Sequence, residues 1–232
     1  HKSSGNMVEF NEAADRMGVD VMRWLYVSQR PEKDLLFGYH VADETRRLFL
    51  IPLWNVYSFF VTYANLDEWT PKSSPPAGPV PVLDRWILSR LAQVTAEVSE
   101  RLDDFEPHLA AAALQGFLDH LSNWYLRRSR RRFWSRRGLS SESDADKSHA
   151  YATLYEVLVT MVGLLAPFVP FVTEVMYQNL VRTADDAAPE SVHHLRWPST
   201  GGGIGRSGRV RLDCSRVIPL VEYTASLLST MF

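Results

Sequence analysis

The residues with the clearest chemical potential lie in one segment, Asn123-Trp124-Tyr125-Leu126-Arg127-Arg128-Ser129-Arg130-Arg131-Arg132-Phe133-Trp134-Ser135-Arg136-Arg137. It holds seven arginines, and no acidic residue falls between Asp119 and Glu142. Guanidinium groups concentrated without local counter-charge suit a polyanion. The planar fork donates two hydrogen bonds to a phosphate and loses its water more easily than an ammonium does. The chain uses 21 Arg against 4 Lys, so the signal is the clustering rather than the choice of arginine.

A helix turns by about 100° per residue, and that step sorts the cluster. Leu114, Phe117, Leu118, Leu121 and Tyr125 define a core stripe, which Arg128 and Arg132 continue. Those two arginines are expected to pair with carboxylates across the fold, because a buried charge needs a partner. Asn123, Arg127, Arg130, Arg131 and Trp134 fall on the other side, within an arc of roughly 100°. This face offers three guanidinium groups, an amide and an indole. The guanidinium groups suit phosphates, and the indole suits stacking on an unpaired base. Packing at a helix end is the alternative reading of Trp134.

A second, weaker feature opens the chain. Lys2-Ser3-Ser4-Gly5-Asn6 is a polar loop with one cation, two hydroxyls and a glycine. Such a loop can approach a phosphate closely, although many surface loops share its composition.

The elements that must hold these residues are helical. The chain has 232 residues, 46% hydrophobic and 22% charged, a globular composition with enough apolar material for a sizeable core. Its formal net charge of -2 confines any anion-binding surface to a local patch. Cys214 is the sole cysteine, so the chain has neither an internal disulfide nor a Cys-rich zinc site, and no metal site is expected. That usage fits a reducing, cytoplasmic setting. The opening lacks an initiator Met and a signal segment and reads as a piece of a longer protein. Val157 to Thr173 is uncharged, but Pro167 and Pro170 interrupt it, so it is expected to form two buried helix ends rather than a membrane span.

Short helices are expected before Gly18 and after an Asp20 cap. A very apolar helix with Leu53, Tyr57, Val61 and Ala64 on one face should follow, kinked or started at Pro52. After the proline-rich stretch from Thr70 to Pro81, Asp84 is expected to cap a helix carrying Ile87, Leu91, Val94, Val98 and Leu102. Pro107 should start the helix that runs on to Trp134. Gly138 to Lys147 reads as a polar break, followed by helices from Tyr151 to Leu165 and from Phe171 to Val181. Order is expected to fall from Thr183 to Ser191. Ser199 to Gly208 reads as flexible loop, and Ser215 to Met231 as a last helix. Few strand runs occur, so the fold class is all-α: an antiparallel helical bundle preceded by a small mixed module.

Several of these segments carry a family likeness. His1-Lys2-Ser3-Ser4-Gly5-Asn6 resembles the second half of the class I aminoacyl-tRNA synthetase signature that ends Lys-Ser before Gly-Asn. Gly18-Val19-Asp20-Val21-Met22-Arg23-Trp24 and Asp84-Arg85-Trp86-Ile87-Leu88-Ser89-Arg90-Leu91 are similar to that family as well. The stretch Asn123 to Trp134 resembles the isoleucine enzymes in particular, as do Leu165 to Glu174 and Ser191 to Leu195.

The resemblance covers essentially the whole chain. It implies a division into residues 1–40, the end of a catalytic core and a stem-contact module, and residues 41–232, a helical anticodon-binding domain. It implies an ATP-binding loop of Lys2, Ser3, Ser4 and Gly5, with Lys2 catalytic through stabilisation of phosphate charge, and Asn123, Arg127, Arg130, Arg131 and Trp134 as tRNA contacts. ATP with magnesium would serve the full-length enzyme, with no cofactor in this piece. An isoleucine-accepting tRNA would be the partner, and the catalytic and editing parts would lie in the missing portion of the same chain. No membrane is implied, and this piece alone is expected to be inactive. A non-catalytic helical RNA-binding or scaffold protein, and the same region of a valine or leucine enzyme, remain the alternatives.

Overall fold

The structure, a computed structural model, describes residues 8–72, 76, 78–136, 138 and 140–199. Its elements are α1 (Phe10–Met17), α2 (Val19–Val27), α3 (Tyr39–Thr45), α4 (Ile51–Leu66), α5 (Val82–Asp103), α6 (Pro107–Asp119), α7 (Arg127–Trp134), α8 (Ser141–Leu165) and α9 (Pro170–Tyr177). No strand occurs among the described residues. The all-α expectation therefore holds for them, and the opening module, expected to be mixed, is helix and loop where it is described. No helix among them is long and apolar enough to cross a membrane.

Three π-helical turns fuse these helices into longer rods. Arg46–Leu50 joins α3 to α4, His120–Leu126 joins α6 to α7, and Gln178–Arg182 extends α9. The first of these turns adjoins Pro52, which has no N–H and so leaves the carbonyl four residues earlier without its helical donor. That carbonyl belongs to Leu48, and Gln115 of α6 donates to it from Nε2 at 3.2 Å.

The main core gathers Leu53, Tyr57, Phe60 and Val61 of α4, Ile87 and Val98 of α5, Leu114 and Leu118 of α6, and Leu154, Leu158 and Leu165 of α8. Ala13, Met17, Val21, Met22 and Ala42 form a smaller core in the opening module.

Two sequence expectations change here. Asp20 does not cap its own helix, since α2 already starts at Val19. Its carboxylate instead accepts the backbone N–H groups of Phe171 (3.3 Å) and Val172 (2.7 Å), capping α9 from across the molecule. Burial pushes the Asp20 carboxyl up, against the pull of those two donors and of Arg23. Arg23 completes the clasp by donating to the carbonyls of Phe168 (3.2 Å) and Pro167 (2.7 Å). Gly138 to Lys147 is not simply a polar break either, because α8 begins at Ser141. Ser140 accepts the N–H of Ser143 at 3.1 Å, and Glu142 and Asp144 sit in the first turn, where the helix dipole favours negative charge.

Beyond α9 the chain returns as a strap. Arg182 donates to the carbonyls of Asp186 (2.5 Å) and Ala188 (2.6 Å), so the stretch expected to lose order is held by its backbone. Tyr177 donates to the carbonyl of Pro189 at 2.7 Å, and Trp197 donates to Ser99 Oγ of α5 at 2.8 Å. The expected loop from Ser199 to Gly208 lies, but for Ser199, outside the described residues, as do the expected helix from Ser215 to Met231 and Cys214.

Candidate nucleic-acid interface

Residues Asn123 to Trp134 of the basic segment lie on the rod made by α6, its π turn and α7. The rod's inner face buries Leu114, Phe117, Leu118, Leu121, Tyr125, Leu126, Ser129 and Phe133. Asn123, Arg127, Arg130, Arg131 and Trp134 are all exposed, on the side that helical periodicity assigned to them.

Arg128 departs from expectation. The π turn His120–Leu126 takes in an extra residue, which advances the core stripe by one position. Ser129 and Phe133 therefore occupy the stripe where an unbroken α-helix would have placed Arg128 and Arg132. Arg128 is carried outward to the exposed surface, and its Cζ lies 3.7 Å above the Trp124 ring centroid. Nothing in the local sequence marks the π turn; only the i, i+4 spacing of Trp124 and Arg128 hinted that the two could meet.

Arg132, at the edge of the stripe, pairs as expected. Its Nη1 and Nη2 donate to the two carboxylate oxygens of Asp84, each at 2.7 Å. Its Nε reaches Asp146 Oδ2 at 3.0 Å, and Nη2 also donates to the Asp146 carbonyl at 2.9 Å. Burial pulls the Arg132 guanidinium down, but the Asp84 contact more than offsets this and holds it above its ordinary range. Asp84 is therefore not an N-cap. The α5 helix starts at Val82, and the fully buried Asp84 carboxylate faces Arg132 and the Tyr125 hydroxyl, which donates to it at 2.8 Å. Burial and the Asp84 charge together push the Tyr125 phenol well above its usual range.

The outer arginines differ. Among the described residues, no carboxylate lies within ion-pair distance of Arg127, Arg128, Arg130 or Arg131. Arg127 and Arg131 are one helical turn apart, where like charges repel. An anion laid across this face relieves that repulsion.

The end of the rod is braced from beneath. Trp134, 56% exposed, donates its indole N–H to the Tyr63 hydroxyl of α4 at 2.8 Å, so one edge of the ring is tied while much of its surface stays open. Lys147, nearly fully buried, donates to the Ser135 carbonyl at 2.8 Å and pairs with Asp67 at 2.6 Å. A cation at that carbonyl favours the C-terminal end of α7. The Tyr151 hydroxyl lies within hydrogen-bonding reach of both the Asp67 carboxylate and the Tyr63 carbonyl, closing a network that joins α4, α7 and α8. Sequence reading missed Lys147, Asp67 and Tyr63, since each acts through a partner distant in sequence.

No cluster of metal-ligating side chains occurs among the described residues. Lys2, Ser3, Ser4 and Gly5 lie outside the described residues.

Residues 84–212 match the family described as the anticodon-binding domain of tRNA ligase. The chain is 49% identical over 198 residues to an isoleucine–tRNA ligase of Dehalococcoides mccartyi, covering 85% of this chain and 19% of that one. It is 47% identical over 199 residues to the Thermus thermophilus isoleucine–tRNA ligase, with the same two coverages. The Deinococcus radiodurans isoleucine–tRNA ligase matches 95% of this chain at 39% identity. The chain thus spans about a fifth of the length of these relatives. Among solved structures, a Mycobacterium tuberculosis methionyl-tRNA synthetase bound by methionyl-adenylate superposes with a TM-score of 0.69 at 19% identity, covering 89% of this chain and 40% of that one. That likeness shows a shared fold. With a family match that takes in more than half of its residues, this chain belongs to the anticodon-binding domain family of tRNA ligases.

Proposed function

We propose that this chain is the part of an isoleucine–tRNA ligase that grips the anticodon stem and loop, and that Asn123, Arg127, Arg130, Arg131 and Trp134 make the contacts. The observation that carries the reading is the set of exposed guanidinium groups with no carboxylate in reach among the described residues, beside an indole held by one edge. Identity to isoleucine–tRNA ligases across 85% of the chain supports the choice of amino acid over valine or leucine.

The division of labour follows from contact chemistry. Phosphate contacts from the arginines fix register and supply affinity, while base edges and faces in an unpaired loop carry sequence. Asn123 brings an amide able both to donate to and accept from a base edge. Trp134 brings a stacking surface.

On the same reading, residues 1–40 end the catalytic core and contact the stem, and residues 41–232 form the anticodon-binding domain. Lys2, Ser3, Ser4 and Gly5 belong to an ATP-binding loop completed by the rest of the parent enzyme. ATP with magnesium is used there, in the cytoplasm, and the ligation itself belongs to the full-length ligase.

The test is a salt titration of binding to an isoleucine tRNA. Each phosphate neutralised contributes a log–log slope of about -0.9 on a duplex stem and about -0.7 on a single strand. Arg130→Ala and Arg131→Ala should each weaken binding and flatten that slope by about one such unit. Unchanged affinity and slope in both variants would overturn the assignment.

A further inference from the structure

Trp124 and Arg128 make a cation–π contact on the exposed basic surface. The Arg128 Cζ sits 3.7 Å above the Trp124 ring centroid, and the indole remains 47% exposed. No described carboxylate competes for Arg128. The guanidinium thus sits over the indole at van der Waals distance, and Arg128 itself is exposed to solvent.

We propose that the Trp124–Arg128 stack is a platform for one unpaired RNA base, with the Arg128 guanidinium as the middle layer between indole and base. The proposal rests on the tRNA-binding reading above and adds to it a base contact that periodicity had assigned to the core.

Three features support it. First, the plane is set before any ligand arrives, so stacking a base on it orders no further long side chain. Second, the π turn His120–Leu126 is the reason the plane is outside at all. Without the extra residue Arg128 would continue the core stripe, and π turns recur at functional sites. Third, Arg127 and Arg131 lie within roughly 100° of Arg128 around the rod, close enough to take the phosphates that flank a stacked nucleotide. The base must be unpaired, because a base in a duplex keeps its faces against its neighbours, whereas a splayed base offers them to aromatic rings and guanidinium planes. A lone phosphate leaves the flat upper face of the stack unused, since it meets a guanidinium along the N–H edges.

The experiment compares this chain with its Arg128→Lys and Trp124→Leu variants by fluorescence anisotropy. The probes are a labelled anticodon stem-loop of an isoleucine tRNA and the same stem-loop with an abasic loop. Arg128→Lys keeps the charge and loses the plane. It should leave the salt slope unchanged and weaken binding about tenfold, which is about 1.4 kcal/mol. Trp124→Leu should weaken binding to a similar degree by removing the support. Both losses should vanish on the abasic loop, where no base remains to stack.

Wild-type affinity in both variants, or a loss of the same size on the abasic loop, overturns the platform. Arg130→Ala separates this from failure of the tRNA reading. If Arg130→Ala weakens binding and flattens the slope while the platform variants are silent, only the platform falls. If all three are silent and Arg131→Ala is silent as well, the tRNA reading falls with it.

Discussion

Arg132 and Asp84, 48 positions apart in sequence, meet fork to fork at 2.7 Å on both arms, and this contact turns one member of the arginine cluster into the anchor of the others. Asp84 is fully buried on α5, and the Arg132 side chain is only 12% exposed. The basic helix is thus pinned to the bundle by a charge pair while its remaining arginines face outward. Removing one partner of such a pair strands the other charge in the interior, at a cost of about 3–5 kcal/mol. Arg132→Ala should therefore lower unfolding free energy by about that amount in a denaturant melt. Arg130→Ala and Arg127→Ala, at exposed positions, should stay within about 0.5 kcal/mol of the parent. Equal stability in Arg132→Ala and Arg130→Ala would mean that the cluster does not divide into an anchor and a binding face.

That division was half legible in the sequence. The 3.6-residue repeat placed Asn123, Arg127, Arg130, Arg131 and Trp134 outside and gave Arg132 a carboxylate partner. The same repeat misplaced Arg128, because it assumes an unbroken α-helix and the π turn shifts the phase by one residue. Cap rules found the right residue types at Asp20 and Asp84 but the wrong partners. A short acid at a helix start fits a cap equally well whether its carboxylate turns to its own helix or to another element. Asp20 caps α9, and Asp84 binds Arg132 and Tyr125. Lys147 lay in a stretch read as polar, and only the tertiary meeting with Ser135 and Asp67 explains its burial. Helix existence is written in local pattern; pairing over 40 or more positions is not.

The hydrogen bond from Trp134 to Tyr63 predicts a positioning effect. Water can replace the phenol oxygen at this exposed site, so Tyr63→Phe should barely change stability. It should nevertheless weaken RNA binding a few-fold, because the indole loses its fixed orientation. Trp134→Ala removes the stacking surface itself and should cost about 1–3 kcal/mol of binding. In a Trp134→Ala background, Tyr63→Phe should add nothing, since the two act through one ring. Additive losses in this double-mutant cycle would assign Tyr63 its own contact with RNA.

Glu174 predicts a pH dependence. Burial pushes its carboxyl up, but donors from Gln178 (2.6 Å), Ser191 (2.8 Å) and the Val192 N–H (3.0 Å) outweigh that and leave it below its ordinary value. A carboxyl with a lowered folded pKa contributes stability above the unfolded value of about 4.3 and loses it as pH falls through the folded value. The stability gap between the parent and Glu174→Gln should therefore be widest near neutrality. It should close as pH is lowered from about 4.3. Urea melts across that range measure it, and a gap that widens in acid would reverse the assigned sign.

Gly163 and Pro198 show how the strap is seated. A Cβ built on Gly163 of α8 would stand 2.9 Å from Pro198 Cγ, closer than two carbons tolerate. Gly163→Ala gains about 1 kcal/mol of helix propensity, but overpacking costs about 1–3 kcal/mol, so the net effect should be a loss of about 1 kcal/mol. The displaced Pro198 should carry Trp197 off Ser99, opening residues 189–198 to limited proteolysis. Pro198→Ala in the same chain removes the clash, and the double variant should then be more stable than Pro198→Ala alone by the helix gain. If Gly163→Ala instead stabilises the chain and the strap resists protease as before, the close approach of ring and helix does not limit this site.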